Sequence, residues 1–281
     1  MSSTVYALAA IALWATLASL GTTLAHVPPF LLTGAALIVG SLPSWPLVLR
    51  DRAAWRVPPR TLALGIYGLF GFHFLLFIAL RHAPPVEANL VNYLWPLGMV
   101  VMAPLFLPGM TLRPVHVGAA LLGFAGAAVA ILGARGSMGA AADTGYWGFV
   151  PALGSAFIWS SYSLWTQRMP SFPTAAIGLF GLVSGALSLL CHALLEPAAA
   201  LSARDWGLVA LCGLGPLGAA FFLWDRALKG GDARQIGILS YLTPLASTAL
   251  LLLVTERPLS WSIAVAAAMI ISAAVMGTRI R

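Results

Sequence analysis

Asn92-Tyr93-Leu94-Trp95-Pro96-Leu97 and Ser240-Tyr241-Leu242-Thr243-Pro244-Leu245 are one phrase written twice, once in each half of the chain. The copies stand 148 positions apart (93 to 241), and the match runs back without a gap to Ala79-Leu80-Arg81 and Ala227-Leu228-Lys229. Each copy sets a proline inside a long apolar run. Proline removes a backbone donor and breaks or kinks a helix. A repeated apolar bundle whose helices are interrupted at matching positions is the pattern of a secondary transporter.

Composition points the same way. The 281 residues are 60% hydrophobic and 8% charged, against about a quarter charged in a soluble domain. Such a chain cannot cover a water-facing surface of this size, so it is expected to live in the lipid bilayer. Ten apolar spans can be placed, near 4–24, 30–49, 61–80, 85–107, 114–133, 147–167, 174–195, 205–226, 233–253 and 259–278, each close to the ~20 residues a crossing needs. The breaks fall at Pro28-Pro29, Pro58-Pro59, Pro84-Pro85, Pro108-Gly109, Pro170, Gly230-Gly231 and Pro258. The first apolar run is too long for a cleaved signal core and reads as an uncleaved span. Cys191 and Cys212 sit in apolar segments and give neither a disulfide framework nor a metal spacing. No cofactor and no metal are expected.

The net charge of +7 is a topology signal and not a nucleic-acid one. With the N-terminus in the cytoplasm, Arg50, Arg52, Arg56, Arg60, Arg113, Arg168, Arg226, Lys229, Arg234, Arg279 and Arg281 fall inside. Arg81, Arg135, Arg204 and Arg257 fall outside. Eleven against four follows the positive-inside rule and places both termini in the cytoplasm. Most acids (Asp143, Glu196, Asp205, Glu256) fall outside. The longest polar gap, near 133–145, divides the chain into repeats 1–134 and 135–281. Each holds five spans, and five is odd, so the second repeat is expected to be inverted relative to the first. The fold class is therefore an all-α polytopic membrane protein of ten helices in two inverted five-helix repeats. Ala12-Leu13-Trp14-Ala15 resembles Phe157-Ile158-Trp159-Ser160 in the first helix of each repeat, and Gly65 matches Gly213 at the offset of 148.

Polar groups at membrane depth are costly and are expected to face the bundle interior or a wet cavity. Asn89, Asn92, Tyr93 and Pro96 share one face of helix 4, and Gly237, Ser240, Tyr241 and Pro244 share the equivalent face of helix 9. Pro96 and Pro244 leave the carbonyls of Asn92 and Ser240 without their helical donors, and a freed carbonyl suits a substrate ammonium or a simple kink. Both prolines are candidate hinges. His73 is the one histidine near mid-span; it suits a cavity wall, a proton relay, or a packed ring bonded to a neighbour. Trp45, Trp55, Trp147, Trp206 and Trp261 lie near span ends, as an interfacial belt would. Trp14, Trp95 and Trp159 are mid-span, where they serve as packing or as a stacking surface for a flat ring. Phe72, Leu76, Phe77, Phe221 and Trp224 can complete an apolar wall. Glu87 sits in the first turn of helix 4, where the helix dipole favours an acid. No other acid is expected at mid-depth, and no buried Arg is available for a substrate carboxylate. The glycine sets Gly65/Gly68/Gly71 and Gly118/Gly123/Gly126 suit close helix approach.

These features together, and chiefly Trp14, His73, Tyr93, Trp95, Trp159 and Ser240, resemble the EamA-type drug/metabolite transporter superfamily, and within it the bacterial aromatic amino acid exporters. The resemblance covers essentially the whole chain. It implies export of phenylalanine, tryptophan, tyrosine and similar small solutes from the cytoplasm across the bacterial inner membrane, by alternating access. The cavity would lie among helices 1, 3, 4, 6, 8 and 9. Trp14, Phe72, His73, Leu76, Asn92, Tyr93, Trp95, Trp159, Ser240 and Tyr241 are the candidate substrate-binding residues. The expected partners are an aromatic amino acid and the lipid bilayer, with no nucleic acid and no obligate protein partner.

Three rivals remain on sequence grounds. An intramembrane enzyme would need a nucleophile–base pair, a metal motif or paired acids, none of which is present. A channel would need a ring of like charges or a repeated filter loop. A carrier of the same fold for threonine-like amino acids, purines, sugars or cationic drugs differs only in its substrate.

Overall fold

The computed structural model describes residues 2–134, 147–255 and 261–279. Among the described residues the chain forms ten helical rods: α1 Ser3–Thr23, α2 Pro29–Arg50, α3 Pro59–His82, α4 Pro85–Phe106, α5 Pro114–Ala134, α6 Phe149–Arg168, α7 Ala176–Leu195, α8 Ala203–Gly230, α9 in two pieces (Ala233–Leu239 and Leu242–Thr255), and α10 Trp261–Arg279. Arg135, Asp143, Glu256, Arg257, Pro258 and Arg281, all used above for orientation or spacing, lie outside the described residues, as does the stretch that separates the two repeats.

The paired prolines set three helix starts. Pro29, Pro59 and Pro85 are first helical residues, where a missing N–H costs no bond. Pro28, Pro58 and Pro84 before them are extended, with ψ of 132°, 147° and 123°, because a residue preceding proline is pushed out of the helical region. At α8 a capping box does the same work: Ser202 and Asp205 exchange bonds across the first turn.

Eight rods are long and apolar enough to cross a membrane by themselves; α6 and α9 are the other two. The reason is local. Helix α6 carries Ser155, Ser160, Ser161 and Thr166, each bonding a carbonyl three or four residues back, at 2.7–2.8 Å. Its hydroxyls are satisfied inside the helix, so a polar sequence can sit buried between apolar neighbours. Helix α9 is divided.

The packing pattern is unchanged when the halves are exchanged. Helix α1 packs on α8 as α6 packs on α3, and α4 packs on α6 as α9 packs on α1; α2 pairs with α7, α5 with α10, and α4 with α9. Glycines permit the closest crossings. A Cβ on Gly213 would stand 2.6 Å from the Ala36 carbonyl, and one on Gly40 would stand 2.7 Å from the Leu217 carbonyl, so α2 and α8 touch backbone to backbone.

Two irregularities recur at the repeat offset. Helix α3 contains a π-turn at Tyr67–Gly71, and α8 has one at Gly215–Ala219, again 148 apart (67 to 215). Helix α4 breaks after Asn92 and restarts at Trp95; α9 breaks after Leu239 and restarts at Leu242. The interruptions therefore precede the prolines rather than centring on them. Pro96 and Pro244 stand in the first turn of a new helical piece, where N–H groups are unbonded in any case. The carbonyl of Ser240, expected to be free, accepts the Thr243 N–H at 3.0 Å.

Candidate functional site

The middle of the bundle is an aromatic nest built by both halves. Trp14 of α1 meets Trp159 of α6 edge-on, with ring centroids 5.8 Å apart and planes at 76°. Trp224 lies 5.1 Å from Trp14 and is stacked on Trp159 at 6.4 Å. Trp95 meets Trp159 and Trp224 edge-on at 6.4 and 5.8 Å. Phe221 and Phe72 close the group, at 5.7 and 5.3 Å from Trp159. Each such pair contributes about 0.5–1.5 kcal/mol beyond area burial, and the same faces suit a flat guest ring.

Polar atoms around the nest are paired, most of them to backbone. The Trp14 indole N–H donates to the Pro216 carbonyl at 3.1 Å, inside the α8 π-turn. His73 Nδ1 donates to the Leu69 carbonyl at 2.6 Å, inside the α3 π-turn. A π-turn displaces carbonyls from their usual i+4 donors, and here a ring N–H from the nest fills the gap in each half. The Trp224 indole N–H donates to Ser163 Oγ at 3.2 Å. Ser160 Oγ, besides its bond within α6, reaches the Trp95 carbonyl at 2.8 Å, beside the α4 break.

Of the ten candidate residues, Trp14, Phe72, Trp95 and Trp159 come together in the nest, and His73 adjoins it through Phe72 and Phe221 at 5.0 and 6.4 Å. Leu76 and Tyr93 are half-buried on α3 and at the α4 break. Asn92 is buried and bonded to Ser155 of α6 at 2.9 Å. Ser240 is buried and bonds the Ile236 carbonyl one turn back in α9. Tyr241 goes elsewhere: it is fully buried against Phe124 of α5, with Ala127 and Ile270, in a cluster separate from the nest. Gly237 of α9 abuts Pro96 of α4, whose carbonyl stands 3.0 Å from the position of a Gly237 Cβ, so the two copies of the repeated phrase do meet. A cavity of about 280 Å³ opens between α3 and α6, lined by Arg60, Ala63, Leu64, Tyr67, Trp165 and Met169.

Asp225 is the residue that sequence reasoning missed. The sequence reading did not single it out; α8 continues to Gly230, so Asp225 lies more than a turn inside. It is 1% exposed and paired with Lys229 at 2.7 Å. The signal available was the i,i+4 spacing of an acid and the chain's one lysine. Glu87, by contrast, stands in the first turn of α4 as expected.

Known proteins with the same chain plan are found readily. The model of the EamA-like transporter family matches twice, at residues 1–132 and 146–278. An aromatic amino acid exporter YddG from Ancylobacter novellus is 41% identical over 280 residues, 99% of this chain and 97% of the relative. The protein of that name from Salmonella typhimurium is 28% identical, covering 74% of this chain and 73% of its own. An uncharacterized inner membrane transporter YhbE from Escherichia coli is 25% identical over 71% of this chain and 61% of its own. A solved crystal structure superposes with a TM-score of 0.91 at 41% identity, covering 98% of this chain and 96% of the other. Paired π-turns, paired helix breaks, interchangeable packing and two matches to one family model make this a duplicated, multi-pass membrane transporter and not an enzyme: the chain belongs to the EamA-like transporter family.

Proposed function

We propose that this chain exports phenylalanine, tryptophan and tyrosine from the cytoplasm across the bacterial inner membrane by alternating access. The observation that carries the reading is the Trp14–Trp159 pair. The first helix of each half sends one indole to the same point, 5.8 Å apart, inside a nest that a planar ring can enter by displacing one aromatic contact with another. The names of the 41% and 28% identical relatives, aromatic amino acid exporters, support it. In this reading Trp14, Phe72, Trp95 and Trp159 stack on the substrate ring, with Leu76 and Tyr93 at its edge. His73 fixes the backbone of the α3 π-turn, Asn92 and Ser240 fix that around the breaks, and Tyr241 anchors α9 against α5. The repeats 1–134 and 135–281 are inverted relative to each other and rock about the Pro96 and Pro244 segments. Both termini are cytoplasmic, α6 and α9 cross the membrane within the bundle, and transport needs no cofactor.

The test is export from cells. Bacteria lacking their own aromatic exporters and expressing this chain are expected to resist p-fluorophenylalanine and to release phenylalanine into the medium. Unchanged sensitivity, with release of threonine or a purine instead, would reassign the substrate and leave the family membership intact.

A further inference from the structure

We propose that Asp225 and Lys229 form a binding subsite for the zwitterionic end of an amino acid, the carboxylate of Asp225 taking its ammonium and the ammonium of Lys229 its carboxylate. The inference rests on the reading above that the cargo is an amino acid, and it names the part of the protein that recognises the main-chain end.

The repeat offers its own comparison. Arg81 and Lys229 occupy the same repeat position, 148 apart, and each cation lies over a phenylalanine ring: Arg81 over Phe30 at 5.6 Å, Lys229 over Phe172 at 3.7 Å. Each is bound to a fully buried carboxylate, Glu196 or Asp225. The resemblance ends at the carboxylates. Glu196 is saturated: one oxygen accepts Arg81 at 2.7 Å and the Phe30 N–H at 3.0 Å, and the other accepts His192 Nδ1 at 2.9 Å and the Leu31 N–H at 3.3 Å. That is a clasp between α3, α7 and the start of α2, with no capacity left. Asp225 Oδ2 accepts Lys229 and Thr174 Oγ1, both at 2.7 Å, while Oδ1 is buried with no donor. A buried carboxylate oxygen without a donor is costly, and an incoming ammonium supplies the missing one.

Charge and position fit the same guest. A zwitterion placed between an acid and a base brings no net charge into the bundle, so an internal ion pair is exchanged for two others without leaving a buried ion uncompensated. The subsite lies one residue along α8 from the nest: Asp225 follows Trp224, whose ring is stacked on Trp159 at 6.4 Å. Lys229 is also reachable, its side chain 25% exposed at the end of α8. Gln167 holds that end by bonding the Leu228 and Gly231 carbonyls at 2.6 and 2.9 Å.

Lys229 is the chain's only lysine, so amine acylation of the wild-type protein, read by mass spectrometry, reports on it apart from the terminus. Phenylalanine is expected to slow its acylation relative to that of the N-terminal amine, which corrects for acyl groups taken up by the added amines themselves, with 3-phenylpropionate and phenethylamine much weaker. In proteoliposomes, phenylalanine should compete for labelled phenylalanine uptake about tenfold better than either analogue. Asp225→Asn should abolish the preference over 3-phenylpropionate, which lacks the ammonium, and keep the preference over phenethylamine. Lys229→Gln should do the reverse. Parallel losses against all three ligands in both variants, or an acylation rate indifferent to every amino acid, would overturn the proposal by reducing the pair to a structural latch. Should the wild type move no phenylalanine, the substrate reading fails separately. Protection of Lys229 by threonine would then still support the subsite, and no protection would end it. The acylation arm needs no variant that has to fold.

Discussion

At the residue scale, one indole makes most of the contacts of the proposed site. Trp159 touches Trp14, Phe72, Phe221, Tyr162, Trp95 and Trp224. Trp159→Ala is expected to lower phenylalanine kcat/KM at least about tenfold and to destabilise the fold by about 3–5 kcal/mol, with Trp159→Phe recovering most of the stability; an unaltered kcat/KM would remove the indole from the site. His73 has a different weight. Its Nδ1–H satisfies the Leu69 carbonyl in the π-turn, so His73→Leu should cost about 1–3 kcal/mol through the buried orphan carbonyl. The ratio of uptake with and without an imposed pH gradient should stay as in the wild type; a changed ratio would make His73 a proton carrier. The indole pair was legible in the sequence because Trp14 and Trp159 stand in matching four-residue phrases. Asp225 was not, because hydropathy alone cannot tell where α8 stops, and an acid beside Arg226 reads as a solvated helix end. Repeat symmetry equates Tyr241 with Tyr93, but Gly123 of α5 leaves room for its ring, and it packs in a cluster apart from the nest.

At the element scale, what distinguishes this bundle is where its helices are irregular. The breaks at Tyr93 and Ser240–Tyr241 precede prolines that prevent the two pieces of each rod from fusing. In Pro96→Ala or Pro244→Ala the restored N–H lets α4 or α9 run through. Turnover is expected to fall several-fold while the KM for phenylalanine stays within about twofold, since the proposed binding lies in the nest and the proposed motion in the break; a mutant that cycles at the normal rate would dissociate the breaks from transport. Gly213→Ala meets the backbone of Ala36 and the side chain of Val39 at 2.6–2.7 Å. It should destabilise α8 against α2 by about 1–3 kcal/mol, measurable as a lower Tm in detergent. The prolines made the breaks visible in advance. The π-turns left only a faint trace, Gly65 matching Gly213, because no side chain encodes a π-turn; it arises where ring donors such as Trp14 and His73 are at hand to take the displaced carbonyls. Helix α6 was legible as a helix, although its serines lower its hydropathy, because hydroxyls that bond their own backbone do not need water.

At the scale of the whole molecule, duplication explains the architecture: packing that survives exchange of the halves, a nest at their shared centre, and, among the described residues, a cation over a phenylalanine ring in each half. The repeated phrase and the two sets of five spans made the duplication readable from sequence, whereas the unequal filling of Glu196 and Asp225 depends on side chains that meet only in the folded bundle. Topology can be checked on the intact cell. With Cys191 and Cys212 replaced by serine, a cysteine at exposed Arg204 should react with a membrane-impermeant maleimide, and one at exposed Arg52 only after permeabilisation; the opposite pattern would turn the molecule over in the membrane. Transport of aromatic amino acids is tested most directly by counterflow in proteoliposomes of the purified chain. Vesicles preloaded with unlabelled phenylalanine should transiently accumulate external labelled phenylalanine and tryptophan, and should leave labelled threonine and adenine outside. Absence of aromatic counterflow in vesicles that exchange another solute would contradict the assignment of the Trp14–Trp159 nest as an aromatic amino acid site.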